Sequence, residues 1–250
     1  MDLELKGKVA IVTGSSRGIG KSIALSLIEE GCNVMFNGRK EASLKSVTRK
    51  KQNSSYFVAD MTKSNDCKKL VEHTLKKFGK IDILICNVGN GNSVQPGKET
   101  NLEWEKMMDV NFFSAINIID ESKKALKKSK GVILCISSIA GLETTGAPVT
   151  YSVAKTALIS YVKRISKSFS KEKIRINSVS PGNIYFKGSV WERKMKNIKN
   201  KIKKMLENNV SLNRFGLPEE VGYLVTFLVS PKSAFITGSD FVIDGGQLKS

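Results

Sequence analysis

Tyr151 and Lys155 stand four residues apart in Tyr-Ser-Val-Ala-Lys, inside a stretch of helical periodicity. One helical turn would bring both side chains to the same face. A free tyrosine keeps its proton up to a pKa of about 10, too high for efficient proton transfer near neutrality. A neighbouring ammonium favours the phenolate and should lower that value, so the pair reads as a proton donor or acceptor. Taken alone, the spacing is also that of an ordinary surface pair. Ser138 closes the apolar run 131–136 and offers a hydroxyl to the oxygen that Tyr151 would protonate. Asn111 lies between Val110 and Phe112 in a long helical stretch. A buried amide there needs partners: it could anchor a water chain to Lys155, or simply kink its helix.

A second constellation lies near the N-terminus. Val9-Ala-Ile-Val-Thr13 runs into Gly14-Ser-Ser-Arg-Gly18-Ile-Gly20 and then into a 3.6-period stretch through Ile23, Leu27 and Ile28. A strand ending in a glycine turn that opens a helix suits a pyrophosphate, because backbone N–H groups and the helix N-terminus face the anion without Cβ atoms in the way. A plain tight turn is the other reading. The next strand ends in Asn37-Gly38-Arg39, where an acidic residue would hydrogen-bond the ribose 2′-hydroxyl of NAD. That slot is neutral here. Arg39 and Arg17 offer guanidinium groups suited to a 2′-phosphate, which predicts NADP(H) as cofactor, unless both are ordinary surface residues.

The elements that must position these groups can be read from periodicity. Strand-like runs at Val9–Val12, 34–36, 56–58, 81–86, Val132–Ile136 and 174–179 alternate with helical stretches near 40–51, 64–78, 102–128 and 152–169. Short buried strands alternating with helices predict an α/β fold, a doubly wound parallel sheet covered on both faces. No linker or repeat divides the 250 residues, so they are read as one nucleotide-binding domain.

These motifs together resemble the short-chain dehydrogenase/reductase family over nearly the whole chain. The resemblance rests on Thr13-Gly14-x-x-x-Gly18-x-Gly20, Asp60, Asn87-Val88-Gly89, Asn111, Ser138, Tyr151-x-x-x-Lys155 and Pro181-Gly182. It implies a Rossmann-type sheet of about seven strands, the last at 241–247, usually in a tetramer. It also implies a catalytic tetrad of Asn111, Ser138, Tyr151 and Lys155, with Lys155 holding the nicotinamide ribose. Gly14, Ser16, Arg17, Gly18, Ile19 and Gly20 would line the pyrophosphate. Asp60 and Met61 would lie against the adenine, Asn87 and Gly89 along the cofactor, and Pro181, Gly182 and Ile184 beside the nicotinamide. Two positions depart from the family pattern. Cys86-Asn87-Val88-Gly89 stands for Asn-Asn-Ala-Gly, and Phe186 replaces a threonine that helps hold the carboxamide.

Residues 187–210 interrupt the alternation, with Met195, Ile198, Ile202, Met205 and Leu206 at helical spacing and lysines opposite. The family forms a substrate lid around 186–212, so Phe186, Val190, Trp191 and Met195 are expected to face the substrate. A basic amphipathic helix lying on anionic lipid is the rival reading.

Composition narrows the function classes. With 40% hydrophobic and 26% charged residues the chain is globular. It shows no secretory leader and no long apolar run, so a cytoplasmic location without a membrane span is expected. His73 is the sole histidine, and Cys32, Cys67, Cys86 and Cys135 lack ligand spacing, so no metal is expected. The net charge of +18 is spread along the chain without interleaved aromatics or a reader motif, which argues against nucleic acid. The leading expectation is reduction of a 3-oxoacyl thioester or similar β-keto compound, free or carrier-bound. An acidic carrier would suit Lys127, Lys128, Lys130, Lys171, Lys173 and Arg175. A compact sugar, polyol or ring ketone is the enzyme alternative, and a non-catalytic NADP-binding scaffold is the alternative of another class. A homotetramer or homodimer is expected.

Overall fold

The computed structural model describes residues 1–49 and 51–249. Seven parallel strands form one sheet in the order β3-β2-β1-β4-β5-β6-β7. They are β1 (Val9–Val12), β2 (Asn33–Gly38), β3 (Ser54–Val58), β4 (Ile83–Cys86), β5 (Val132–Ile136), β6 (Arg175–Pro181) and β7 (Asp240–Ile243). The helices are α1 (Gly18–Glu29), α2 (Glu41–Thr48), α3 (Ser64–Phe78), α4 (Asn101–Met108), α5 (Ser114–Ser129), α6 (Val149–Lys171), α7 (Val190–Asn209) and α8 (Pro218–Val229). β1, β4 and β5 are buried along their whole length, which is why their sequences run apolar without alternation.

Successive strand residues point to opposite faces, and each face has its own core. Ala10, Val12, Ile83 and Ile85 pack with Ile23 and Leu27 of α1 and Val221 and Val225 of α8. Ile11, Leu84 and Ile133 pack with Leu70 of α3, Ile118 of α5 and Leu158 and Val162 of α6. The strand order reverses between β1 and β4, and the crevice beyond their C-terminal ends is where such sheets take ligands. The glycine turn, residues 87–89 and Ser138 all follow strand ends on that edge. All four cysteines are buried and free.

Three elements differ from the sequence reading. The single helix expected over 102–128 is broken by a π turn at Asp109–Phe113, centred on Asn111. The stretch 187–210 is helical but kinked at Ile198 (φ −137°, ψ 40°). Helix α8 was not foreseen, although Pro218 and the first-turn acids Glu219 and Glu220 mark its start. Lys50, near the end of the helix expected at 40–51, lies outside the described residues. Among the described residues, no helix is long and apolar enough to cross a membrane.

The basic residues considered for a carrier lie where α5 and α6 end and β6 begins, on the N-terminal edge of the sheet, opposite Ser138. Arg175 is committed to the fold: its guanidinium donates to the carbonyls of Leu228 (3.2 Å), Ser230 (3.2 Å) and Ile236 (3.0 Å). Lys127 faces Glu172 at 3.4 Å. Arg175→Met should therefore cost about 2 kcal/mol or more in urea unfolding, by removing three charge-assisted hydrogen bonds that tie β6 to the end of α8 and the loop after it, whereas Lys173→Met should cost under about 0.5 kcal/mol.

Candidate active site

The glycine turn is held by neutral amides on both sides. Gly14 and Gly18 adopt φ of +62° and +57°, a region that favours glycine. A Cβ on Gly20 would stand 2.7 Å from the Gly14 carbonyl oxygen. Asn37, buried at the end of β2, accepts from the Gly14 N–H at 3.3 Å and donates to the Phe57 and Ala59 carbonyls. Asn87 donates to the Thr13 and Gly14 carbonyls at 3.0 and 3.2 Å. Its own N–H is held by the Thr13 hydroxyl. Among the described residues no side chain caps α1 and its first turn carries no acid, so its leading N–H groups face the crevice beside a basic residue, Arg17. This is the cradle an anionic pyrophosphate requires, and the residues present fit a dinucleotide.

Around that cradle the other expected cofactor residues are placed unequally. Ser16 sits at the Gly38 end of β2, and Ile19 packs on the core beneath the turn. Arg39 is largely exposed, with one guanidinium nitrogen 4.0 Å from Asp60. Asp60 accepts from the N–H and hydroxyl of Thr62. Met61 is buried in the core, so only its backbone is left to face a nucleotide. Gly182 packs so closely on Asp244 that a Cβ would stand 2.8 Å from its Cα. Ile184 is buried and bridges to Gly216, with Pro181 closing β6 beside them.

Tyr151 and Lys155 occupy the first two turns of α6. Lys155 is 2% exposed, and its Nζ donates to the Ile136 carbonyl at 2.8 Å. The same ammonium lies 5.9 Å from the centre of the Tyr151 ring. Ser138 follows β5 and accepts from the Ala140 N–H at 3.2 Å, and its hydroxyl is near enough to the Tyr151 phenol to favour the phenolate. Asn111 is buried in the π turn. It donates to the carbonyls of Asn90 (3.1 Å) and Met107 (3.0 Å) and accepts from the Asn90 N–H (2.8 Å). Its Oδ1 and Lys155 Nζ each lie 3.2 Å from the point a Cβ on Gly89 would occupy. All four residues of the expected tetrad thus gather around the ends of β4 and β5, with Gly89 between two of them.

The electrostatics differ from the sequence expectation. Burial pushes the Tyr151 phenol above its ordinary value, and the Ser138 hydrogen bond only partly opposes it. Burial likewise brings Lys155 down to about 8. In the free chain desolvation outweighs the pull of the ammonium, whose hydrogen bond goes to a carbonyl and not to the phenol oxygen.

Several supporting residues escaped the sequence reading. Ser93 lies 2.8 Å from both Thr150 Oγ1 and Glu103 Oε1, tying the loop after β4 to the residue before Tyr151. Asn90, which holds Asn111, belongs to the same loop. Nothing in a polar loop sequence marks such partners, since they meet only across the fold.

Of the four residues expected to face the substrate, one lines a cavity. A space of about 280 Å³ lies between the loop after Gly141 and α7, with Thr145 on one side and Trp191, Ile202 and Met205 on the other. Trp191 packs on Phe215 at 5.3 Å, which packs on Tyr185. Val190 and Met195 do not line this space. Phe186 instead covers the glycine turn, its ring 2.6 Å from where a Cβ on Gly18 would stand, and Arg17 donates to the Gly188 carbonyl at 3.0 Å. The root of α7 is therefore latched to the turn. Among the described residues no group of three or more His, Cys, Asp or Glu could hold a metal ion.

Comparison with known proteins agrees with this geometry. A family model described as Enoyl-(Acyl carrier protein) reductase matches residues 14–247. The chain is 31% identical to L-fucose dehydrogenase of Mus musculus, covering 96% of this chain and 88% of that one. It is 30% identical to 3-oxoacyl-(acyl-carrier-protein) reductase of Rickettsia prowazekii, covering 98% and 99%. The solved structure of L-sorbose reductase from Gluconobacter frateurii, complexed with NADPH and L-sorbose, superposes with a TM-score of 0.94 at 26% identity over 100% of both chains. The chain belongs to the short-chain dehydrogenase/reductase family and is an oxidoreductase.

Lys155→Met should separate stability from turnover. A lysine whose folded pKa is depressed destabilises the fold fully below that pKa, and the penalty vanishes between about 8 and the unfolded value. The variant should lose turnover yet melt no lower than wild type at pH 7. Wild type should gain on it as pH rises from 8 to 10. Calorimetry across that range checks the sign.

Proposed function

We propose that this chain is an NADP(H)-dependent carbonyl reductase, acting on a 3-oxoacyl thioester or similar β-keto compound in the cytoplasm. The observation that carries the reading is a buried phenol, raised above its ordinary value, beside the Ser138 hydroxyl and one helical turn from the buried Lys155 ammonium. A protonated Tyr151 is the donor that carbonyl reduction needs at neutral pH. Ser138 would hold the substrate oxygen while Tyr151 gives it a proton. Lys155, charged below about 8, favours the phenolate left behind. Asn111 keeps the loop at Asn90 and the floor at Gly89 in register with Lys155. The nicotinamide, when bound, supplies the hydride.

Gly14, Gly18, Ile19 and Gly20 would hold the pyrophosphate at the α1 N-terminus. Arg17 and Arg39 would take the 2′-phosphate. The neutral Asn37 at the acidic slot supports that choice, since its side chain is fully engaged in bracing the turn. The relative solved with NADPH bound is consistent with it. A compact sugar substrate is the second reading, favoured by the L-fucose dehydrogenase and L-sorbose reductase relatives. The 3-oxoacyl reductase relative, matched over nearly the whole of both chains, supports the first reading. Self-association is supported by apolar side chains left in solvent: Phe235, Tyr223 and Val242 near one end, and Leu102, Phe113 and Val153 on α4–α6.

Two measurements test the proposal. NADPH oxidation across a panel of β-keto esters, thioesters and ketoses should show turnover that falls about 10²-fold or more in Tyr151→Phe. Retained turnover in that variant would overturn the mechanism. Wild type should prefer NADPH to NADH in kcat/KM by about tenfold or more, and Arg39→Asp should erase or reverse this. Equal use of both cofactors by wild type would overturn the NADP assignment.

A further inference from the structure

Tyr151 sits in the first turn of α6, and that turn has no cap of its own. Pro148 precedes it without a side-chain hydrogen bond, and the first turn carries no acid. A helix end of this kind frays unless another element holds it. Thr150 supplies the hold: it is fully buried, and its Oγ1 lies 2.8 Å from Ser93 Oγ. Ser93 Oγ also lies 2.8 Å from Glu103 Oε1. A carboxylate only accepts, so the single Ser93 proton goes to Glu103 and Thr150 donates to Ser93. Glu103 is fixed in turn on α4, where its other oxygen faces Lys106 Nζ at 3.3 Å and its N–H is held by the Thr100 hydroxyl. The Ser93 hydroxyl, helped by Lys106, holds the Glu103 carboxyl below the usual carboxylate range, which keeps it a charged acceptor.

The loop that carries Ser93 also walls Tyr151. Asn90 exchanges hydrogen bonds with Asn111, and the Asn92 N–H is held by Asn90 Oδ1 at 3.0 Å. Between them, a Cβ on Gly91 would stand 3.9 Å from Cε2 and Cζ of the Tyr151 ring, an ordinary van der Waals contact. The loop backbone therefore runs past the end of the ring that bears the hydroxyl. It is pinned on one side by Asn111 and on the other by Ser93.

We propose that Ser93 is a positioning residue for the reaction: the chain Glu103–Ser93–Thr150 clamps the first turn of α6 to the loop after β4, and so holds the Tyr151 phenol in place and out of water. This rests on the reductase reading above and deepens it. The titratable groups on the elements around the phenol are Lys155 one turn along, the thiols of Cys86 and Cys135 that act on that lysine, and the Glu103–Lys106 pair reached through Ser93. Ser93→Ala leaves every one of them in place and changes only the clamp. Water admitted to a phenol raised by burial brings it back toward its ordinary value.

The test follows Tyr151 by nuclear magnetic resonance of ¹³C-tyrosine in the full chain, assigned with Tyr151→Phe. It needs no turnover, so an absence of NADPH oxidation, which would sink the reductase reading, leaves it readable. In Ser93→Ala, Tyr151 should ionise about one pH unit lower than in wild type. Turnover should fall about tenfold, while the Kd for NADPH stays within about twofold. Ser93→Thr, which keeps the hydroxyl, should behave as wild type. Ser93→Ala strands the buried Thr150 hydroxyl and should lower the melting temperature, and Ser93→Ala/Thr150→Val should recover much of that loss by removing both partners. The double variant should not recover the Tyr151 titration or the turnover. Wild-type ionisation of Tyr151 in Ser93→Ala would overturn the proposal. So would a double variant that restores titration along with melting temperature, or a Ser93→Thr that behaves as the alanine.

Discussion

A single buried cation organises the end of this molecule where Ser138 and Tyr151 meet. Lys155 is removed from water in the second turn of α6, hydrogen-bonded to the carbonyl that ends β5, and set beside the Tyr151 ring. Burying an ammonium is costly unless polar groups surround it. The surrounding structure supplies the Ile136 carbonyl directly. The Ser137 hydroxyl donates to the Lys155 backbone carbonyl and fastens α6 to β5. Gly141 lets the chain after Ser138 pass against the α6 backbone, since a Cβ there would stand 2.8 Å from the Lys155 carbonyl carbon. Ser138 and Tyr151 thus face one another because the residues between them are forced to turn back on this lysine.

The second organising feature is the strand order. Reversal between β1 and β4 opens a crevice whose rims are the glycine turn on one side and residues 87–89 on the other. Asn87 spans that crevice with hydrogen bonds to Thr13 and Gly14, so the glycine turn and the loop at residues 87–89 are fixed to each other by neutral groups that add no charge. The root of α7 joins the same assembly through Phe186 on Gly18 and Arg17 on the Gly188 carbonyl. Arg17 thereby ties the root of α7 to the glycine turn, which couples the two regions physically.

Much of this was legible in the sequence because it is local. Three-residue and four-residue spacings along α3 and α6, and unbroken apolar runs at Val9–Val12 and Val132–Ile136, need no tertiary knowledge to interpret. The glycine turn and the Tyr151–Lys155 spacing belong to the same class. What was not legible depends on partners distant in the chain. The periodicity through 102–128 is continuous, and only Asn90, from another loop, explains why the helix opens at Asn111. Phe186 looks like a pocket residue until Gly18 is seen beneath it. The direction of the Tyr151 shift turns on burial, which no spacing reveals. Helix α8 is the exception: its proline and paired acids were in plain view, but they follow a kinked helix and an irregular loop that obscure the period.

The account reduces to an ordering of two protons: in the resting site the ammonium lets go first and the phenol last. Nuclear magnetic resonance titration with ¹⁵N-labelled lysine and ¹³C-labelled tyrosine, assigned by single replacement of each residue, reads that order directly. Lys155 should titrate near 8, ahead of the surface lysines, while Tyr151 stays protonated beyond the exposed tyrosines. A Tyr151 signal that ionises before Lys155 does would mean a resting phenolate–ammonium pair, and would contradict the protonated donor on which the reductase reading stands.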